Sequence, residues 1–287
     1  MRRREPWRYG MLSAALMLAG VMAHACAEEE ATYRDLARRY FATGDGKAIS
    51  KFVGLTEEVK HVVALDYTVL IRKDGREEAV DPKAYQFALG DSIRIKIQPA
   101  SDNYIYIFHQ GASGERTCLL PVDKETPPLL KAGASFILPF DGYFEFVTPP
   151  GEEQIVVVAT ERPIAELAVL ADVVFKKPGD VLTPQEQAIK DSLKATVQKT
   201  LTSIRNRHNE TMTLRGLPNR KDREQFAEKV EKTNPTEVAI EEPPHGDTQG
   251  TLAMVVSTDK APNLYVTIPL VSISKQGEAQ PAPKPQD

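Results

Sequence analysis

The sequence predicts a mainly β fold, an antiparallel β-sandwich with an N-terminal helix and a helical insertion before the last strands. Three observations predict it. Ile93, Ile95 and Ile97 alternate with Arg94, Lys96 and Gln98, the period-2 pattern of a half-buried strand. Apolar runs of this kind, bounded by turn residues, recur at short intervals from His61 to about Thr160. The periodicity then changes: over about residues 182–232 apolar residues fall at helical spacing, before strand signals resume in TLAMVVST and LYVTIPLVSIS.

In chain order, MRRREPWR is a basic region and GMLSAALMLAGVMA an apolar run of signal-peptide length, followed by the small residues AHACA. Residues 1–27 are therefore expected to be a cleaved leader, and the chain to be extracytoplasmic, either periplasmic or secreted. Cleavage after Ala25 or Ala27 both fit. Cleavage before Cys26 would resemble lipoprotein processing, which Ala23 weakens by standing where Leu is preferred. Membrane association is expected only if Cys26 is lipidated. Removing residues 1–27 takes away four Arg and one Glu, so the net charge moves from -4 to -7 and a nucleic-acid partner is disfavoured.

Residues 28–60 read as a helix and linker, with Tyr33, Leu36, Tyr40 and Phe41 on one stripe and an exit at Gly44 and Gly46. Residues 61–274 form the β domain. HVVALDYTVLIRK leads to an Asp74-Gly75 turn, AYQFALGD to a Gly90-Asp91 turn, and Tyr104 to Phe108 is apolar on both faces, as expected of a central strand covered on both sides. SFILPF, YFEFVTPPG and EEQIVVVATERP continue the pattern. Thr183-Pro184-Gln185-Glu186 is a capping box opening a helix to about Ile204, with the stripe Ile189, Leu193, Val197, Leu201 and Ile204. NRKDREQFAEKVEKT is a second helix, residues 233–250 a mobile loop, and residues 275–287 a disordered tail.

The runs YTVLIRKDG, YQFALGDSIRIKIQPASDNYIYIFHQGASGE with the LLP that follows, and KAGASFILP with FDGYFEFVTPPGEEQIVVVAT resemble the bacterial domain of unknown function 4384. The resemblance covers about Tyr67 to Thr160, and LYVTIPL resembles the family's closing strand. It implies a β-sandwich module of secreted bacterial proteins, sometimes attached to caspase-like peptidase or other catalytic domains. It implies no agreed activity and no functional residues. This chain departs from it by the helical segment at 182–232.

Catalytic signals are weak. Gly111-Ala112-Ser113-Gly114-Glu115 lacks the last glycine of a nucleophile elbow and precedes a strand. Gly46-Lys47 has Ala48 where a phosphate loop needs Ser or Thr, and reads as a helix exit. His61, His109, His208 and His245 are scattered without metal-pair spacing, so no metal and no cofactor is expected. Glu152 and Glu153 point to opposite faces of a strand. Cys118 reads as a small buried residue, not as a reactive thiol.

What remains is aromatic surface. Tyr104, Tyr106 and Phe108 share one face of a strand, and with His109 and Tyr143 they are the candidate binding residues. The competing reading, which the sequence favours, makes the row structural, because two amphipathic helices need a sheet to dock on. The function expected is a non-catalytic binding module that recognises a protein or cell-envelope polymer. The alternative is an accessory domain or subunit of a hydrolase or peptidase, its site assembled from distant residues such as Asp91, His109 and Glu115.

Overall fold

The computed structural model describes residues 32–112, 114, 116–121, 128–168, 183–216, 219–244 and 249–274. The leader with Cys26, Ser113, Glu115, His245 and the tail at 275–287 lie outside the described residues.

The strand signals become β1 (His61–Lys73), β2 (Arg76–Val80), β3 (Gln86–Ala88), β4 (Ser92–Pro99), β5 (Asn103–Gln110), β6 (Arg116–Leu120), β7 (Leu129–Leu130), β8 (Phe136–Leu138), β9 (Phe144–Glu145) and β10 (Glu152–Thr160). Four more follow: β11 (Met212–Arg215), β12 (Glu237–Glu242), β13 (Thr251–Ser257) and β14 (Asn263–Ile273). The helices are α1 (Tyr33–Thr43), α2 (Gly46–Val53), α3 (Ala165–Ala168), α4 (Pro184–Glu210) and α5 (Arg220–Thr233).

The fold is mainly β and built on two sheets. In the first the order is β11-β12-β13-β1-β4-β8, with β2 on β1 and β9 on β4; in the second it is β3-β14-β10-β5-β6, with β7 on β5. The period-2 pattern explains how they meet. Val63, Leu65, Tyr67, Val69 and Ile71 of β1 and Ile93, Ile95 and Ile97 of β4 face Ile105 and Ile107 of β5 and Ile155 and Val157 of β10 in one buried core. Asp74 and Gly75 both adopt left-handed φ, 50° and 77°, as a two-residue hairpin between β1 and β2 requires.

Helices cover the outer faces. On the first sheet, α1, α2 and α5 bury Tyr33, Leu36, Ile49, Val53 and Val230 against Val62, Val238, Met254 and Val256. On the second, α4 buries Val197, Leu201 and Ile204 against Tyr106, Phe108, Val156 and Val158. The capping box read from the sequence forms, the Thr183 hydroxyl accepting from the Glu186 N–H, and a second one, not anticipated from the sequence, caps α1 with Thr32 and Asp35.

The structure corrects several expectations. The sheets are mixed, not purely antiparallel. β11 and β12 run parallel because α5 joins them as a crossover, and β14 pairs in parallel with β3. The stretch after Gly44 is not a plain linker or exit: Asp45 caps α2 by accepting from the Ala48 N–H, and Gly46 sits where a Cβ would lie 1.8 Å from the Val59 carbonyl oxygen. The segment 233–250, expected to be a mobile loop, holds β12, which pairs with β13 from Glu237 to Glu242. Its apolar Val238 and Ile240 are buried under the helices, a tertiary gain that the flanking prolines and glutamates mask in the sequence. Finally, the stripe of α4 is buried only from Val197 onward; Ile189 is 55% exposed.

Candidate functional site

The first sheet extends beyond the second. On this side of the second sheet β14 is flanked only by the short β3, at Val271 to Ile273, while the first sheet continues from β13 into β12 and β11. On β12, Val238 and Ile240 face the helices, so Ala239 and Glu241 face inward with no strand of the second sheet opposite them. The C-terminal end of α4 lies across the gap. The result is a cleft of about 250 Å³, whose lining includes the charged or titratable Lys83, Arg205, His208, Arg215, Glu241 and Tyr265.

Glu241 organises the polar groups. Its Oε1 accepts from the Tyr67 hydroxyl at 3.0 Å and from Lys83 Nζ at 2.6 Å. Arg215 Nε lies 3.6 Å from its Oε2. The carboxylate is only 16% exposed, so these partners offset its desolvation. Burial, then the neighbouring Glu241 charge, raises the Tyr67 phenol well above its usual range. It stays a hydrogen-bond donor. Burial, and next Arg215, push the His208 imidazole below its ordinary value, with Glu241 opposing. His208 therefore stays neutral at physiological pH, its ring centroid 5.9 Å from that of Tyr265. Among the described residues Arg205 has no ion-pair partner. Lys83, Arg205 and Arg215 thus face a single carboxylate, which leaves the cleft two positive charges in excess.

The residues expected from the sequence lie elsewhere. Tyr106 and Phe108 are 0% and 1% exposed under α4, and Tyr104 is half-buried at the margin of the same cluster. Packing against α4 occupies this face of the strand at Tyr106 and Phe108. The Tyr106 hydroxyl also accepts from the Ile164 N–H at 2.7 Å, tying down the approach to α3. His109, at the end of β5 on the inner face, has Nε2 2.6 Å from Glu153 Oε2. The pair borders a space of about 100 Å³ with Ile93, Phe144, Phe146 and Leu270. Asp91 is occupied elsewhere, its Oδ2 accepting from the Ala88 N–H at 2.9 Å. Tyr143 stands on the outer surface with the Arg94 guanidinium 4.4 Å and that of Arg72 5.0 Å from its ring centre, and its hydroxyl donates to Glu77 at 3.0 Å. Cys118 is 4% exposed, and burial pushes its thiol up to about 12.

None of the cleft residues except Glu241 carried a readable signal. Glu241 shares the inward parity of Ala239 on a strand whose outward residues are apolar, and reading EVAIEE as a strand would have placed it inside. Among the described residues no group of three His, Cys, Asp or Glu is placed to hold a metal. No helix of the described residues is long and apolar enough to cross a membrane.

Residues 86–163 match the family described as Domain of unknown function (DUF4384). The matched stretch runs from β3 to just past β10, and every residue lining the cleft lies outside it. No curated protein and no solved structure matches the chain.

Proposed function

We propose that the chain is an exported, non-catalytic binding module, a sandwich-like body that recognises a protein or cell-envelope polymer through the cleft between β14 and the overhanging β12. The observation that carries this reading is the cleft itself: Arg205 without an ion-pair partner among the described residues and Lys83 and Arg215 sharing one half-buried carboxylate, all around a single opening. Such a site attracts an anionic group and holds it by charge-assisted hydrogen bonds. At about 250 Å³ it is smaller than the roughly 300–1,000 Å³ of a pocket that encloses a whole small ligand. It suits the end or a protruding group of something larger.

One observation favours the hydrolase-accessory reading. His109 and Glu153 supply a base and the carboxylate that would orient it. The lining of their pocket, Ile93, Phe144, Glu145, Phe146, Ile155 and Leu270, brings neither hydroxyl nor thiol to be activated. The binding reading therefore stands first.

The test is retention of envelope material by the immobilised protein, compared with an Arg205→Glu, Arg215→Glu variant of equal melting temperature. Retention lost in the variant supports the cleft. Equal retention by both moves the binding face elsewhere. Turnover of an ester, glycoside or peptide that disappears with His109→Ala would replace this reading by the hydrolase one. Export is tested separately, by the mass of the mature N-terminus from the native host: a start at Glu28 is expected, and an intact Met1 contradicts it.

A further inference from the structure

The edge of β14 that faces the cleft is an unfinished ladder. Two hydrogen bonds fix its phase: the Ser272 N–H donates to Gly151 on the β10 side, and the Ile273 carbonyl accepts from the Leu89 N–H on the β3 side. Backbone groups alternate sides along a strand, so those of Tyr265, Thr267 and Pro269 point away from β10 toward the cleft. β3 occupies this edge only at Val271 to Ile273. From Tyr265 to Pro269 no strand pairs with it, and no backbone hydrogen bond of these residues on that side exists among the described residues. Pro269, which has no N–H, is the residue that a strand edge tolerates at such a place, and it leaves Tyr265 and Thr267 as the donors.

The space beside this edge has the form of a missing strand. The overhanging inner face of β12 floors it, and β3 occupies the same edge position further along β14. The cations stand around it: Lys83 three residues before β3, and Arg205 and Arg215 in the same lining as Tyr265. Main-chain groups that need a partner and an excess of positive charge point to one ligand chemistry. A polysaccharide or polyphosphate would satisfy the cations and leave the ladder open. An extended peptide with an acidic end satisfies both.

We infer, building on the binding-module reading above, that the cleft takes the acidic end of an extended polypeptide, which adds as a strand to the edge of β14 at Tyr265 to Pro269 and places its carboxylate among Lys83, Arg205 and Arg215. Main-chain bonds give affinity without demanding a sequence, and the carboxylate gives register. Glu241 holds Lys83 and Arg215 at the cleft.

The experiment offers the purified protein two pools of mixed-sequence peptides, identical except that one ends in a free carboxylate and the other in an amide, alongside inorganic tripolyphosphate and oligogalacturonate as anions without a peptide backbone. Free-acid peptides are expected to be retained over amidated ones by about tenfold or more, with N-methylation at alternate residues abolishing retention. Thr267→Pro removes one outward N–H and should weaken binding by up to about tenfold without lowering the melting temperature; should that variant melt early, the N-methylated peptides carry the backbone test. Equal retention of both pools, or tolerance of N-methylation, overturns strand addition. Retention of tripolyphosphate or oligogalacturonate with rejection of both pools also overturns it, yet leaves the binding-module reading intact. If none of these anions binds and Arg205→Glu changes nothing, both readings fall.

Discussion

The two sheets carry helical covers of different kinds. On the first sheet three helices share the cover, α1 burying Leu36 and Ala37, α2 Ile49 and Val53, and α5 Val230, and polar contacts fasten the arrangement: Arg34 is 9% exposed, pairs with Asp66, and donates to the Gly250 carbonyl at 2.9 Å, while the Tyr40 hydroxyl donates to the Lys60 carbonyl at 2.7 Å. On the second sheet one long helix, α4, is docked only through its second half, at Val197, Leu201 and Ile204. The first cover closes a surface. The second leaves one end of a helix projecting and the other, with Arg205 and His208, at the mouth of the cleft. An amphipathic stripe in a sequence therefore states what could be buried, and the sheet beneath decides how much of it is.

Leu201→Asp sharpens this contrast most. It places an unpaired charge 3% exposed against Tyr106 and Phe108, and should cost about 4 kcal/mol in urea denaturation, whereas Ile189→Asp on the projecting half should change stability by less than about 0.5 kcal/mol. Equal losses would mean that the whole helix is docked. Next in size is the fastening of the first cover. Arg34→Met leaves Asp66 half-buried without its partner, and a loss of roughly 2–3 kcal/mol is expected, under the 3–5 of a fully buried pair because the Asp66 side chain is 33% exposed. Burial raises the Asp66 pKa and Arg34 opposes that rise, so the variant should also titrate higher by NMR. On the second sheet, Tyr106→Phe removes the acceptor of the Ile164 N–H and should cost about 1 kcal/mol by the same measurement.

The smallest effect is a slope with pH. His208 in the folded chain holds its proton less well than in the unfolded chain, where its ordinary value is 6.5. Unfolded chains then bind more protons as the pH falls, so this contribution is fully present above pH 6.5 and is lost progressively below it, toward the folded value. His208→Gln should flatten that part of the stability profile between neutral and mildly acid pH. An unchanged slope would mean that the imidazole is freely hydrated.

The body of the fold was legible where one physical pattern dominated. Ile93, Ile95 and Ile97 showed the inner face of β4, and the doubly apolar Tyr104 to Phe108 showed both that β5 is central and that a helix covers it, as the contacts of α4 confirm. The strand β12 was hidden because its six residues sit among prolines and glutamates and gain their burial only from distant partners, the helices of the first cover and the neighbouring β11 and β13. The parallel pairings were hidden because pairing direction depends on the path of the connection, which no local pattern records. The cleft was hidden for a third reason. Lys83, Arg205, Arg215, Glu241 and Tyr265 come from five separate stretches, and a surface arginine has the same appearance in a sequence whether it faces water or a partner.

β1 is bonded early in the chain at one end and late at the other. Ile71 pairs with Ile93, only 22 positions on, but His61 pairs with Ser257, 196 positions on. The entropy of closing the second loop exceeds that of the first by about 2 kcal/mol, so the near pairing with β4 can form during synthesis while the far one waits. Until β13 arrives, Val62 to Leu65 form a bare apolar edge open to any passing strand. A chain truncated before residue 251 would keep that edge bare, and the fragment should aggregate at a lower concentration than the intact chain.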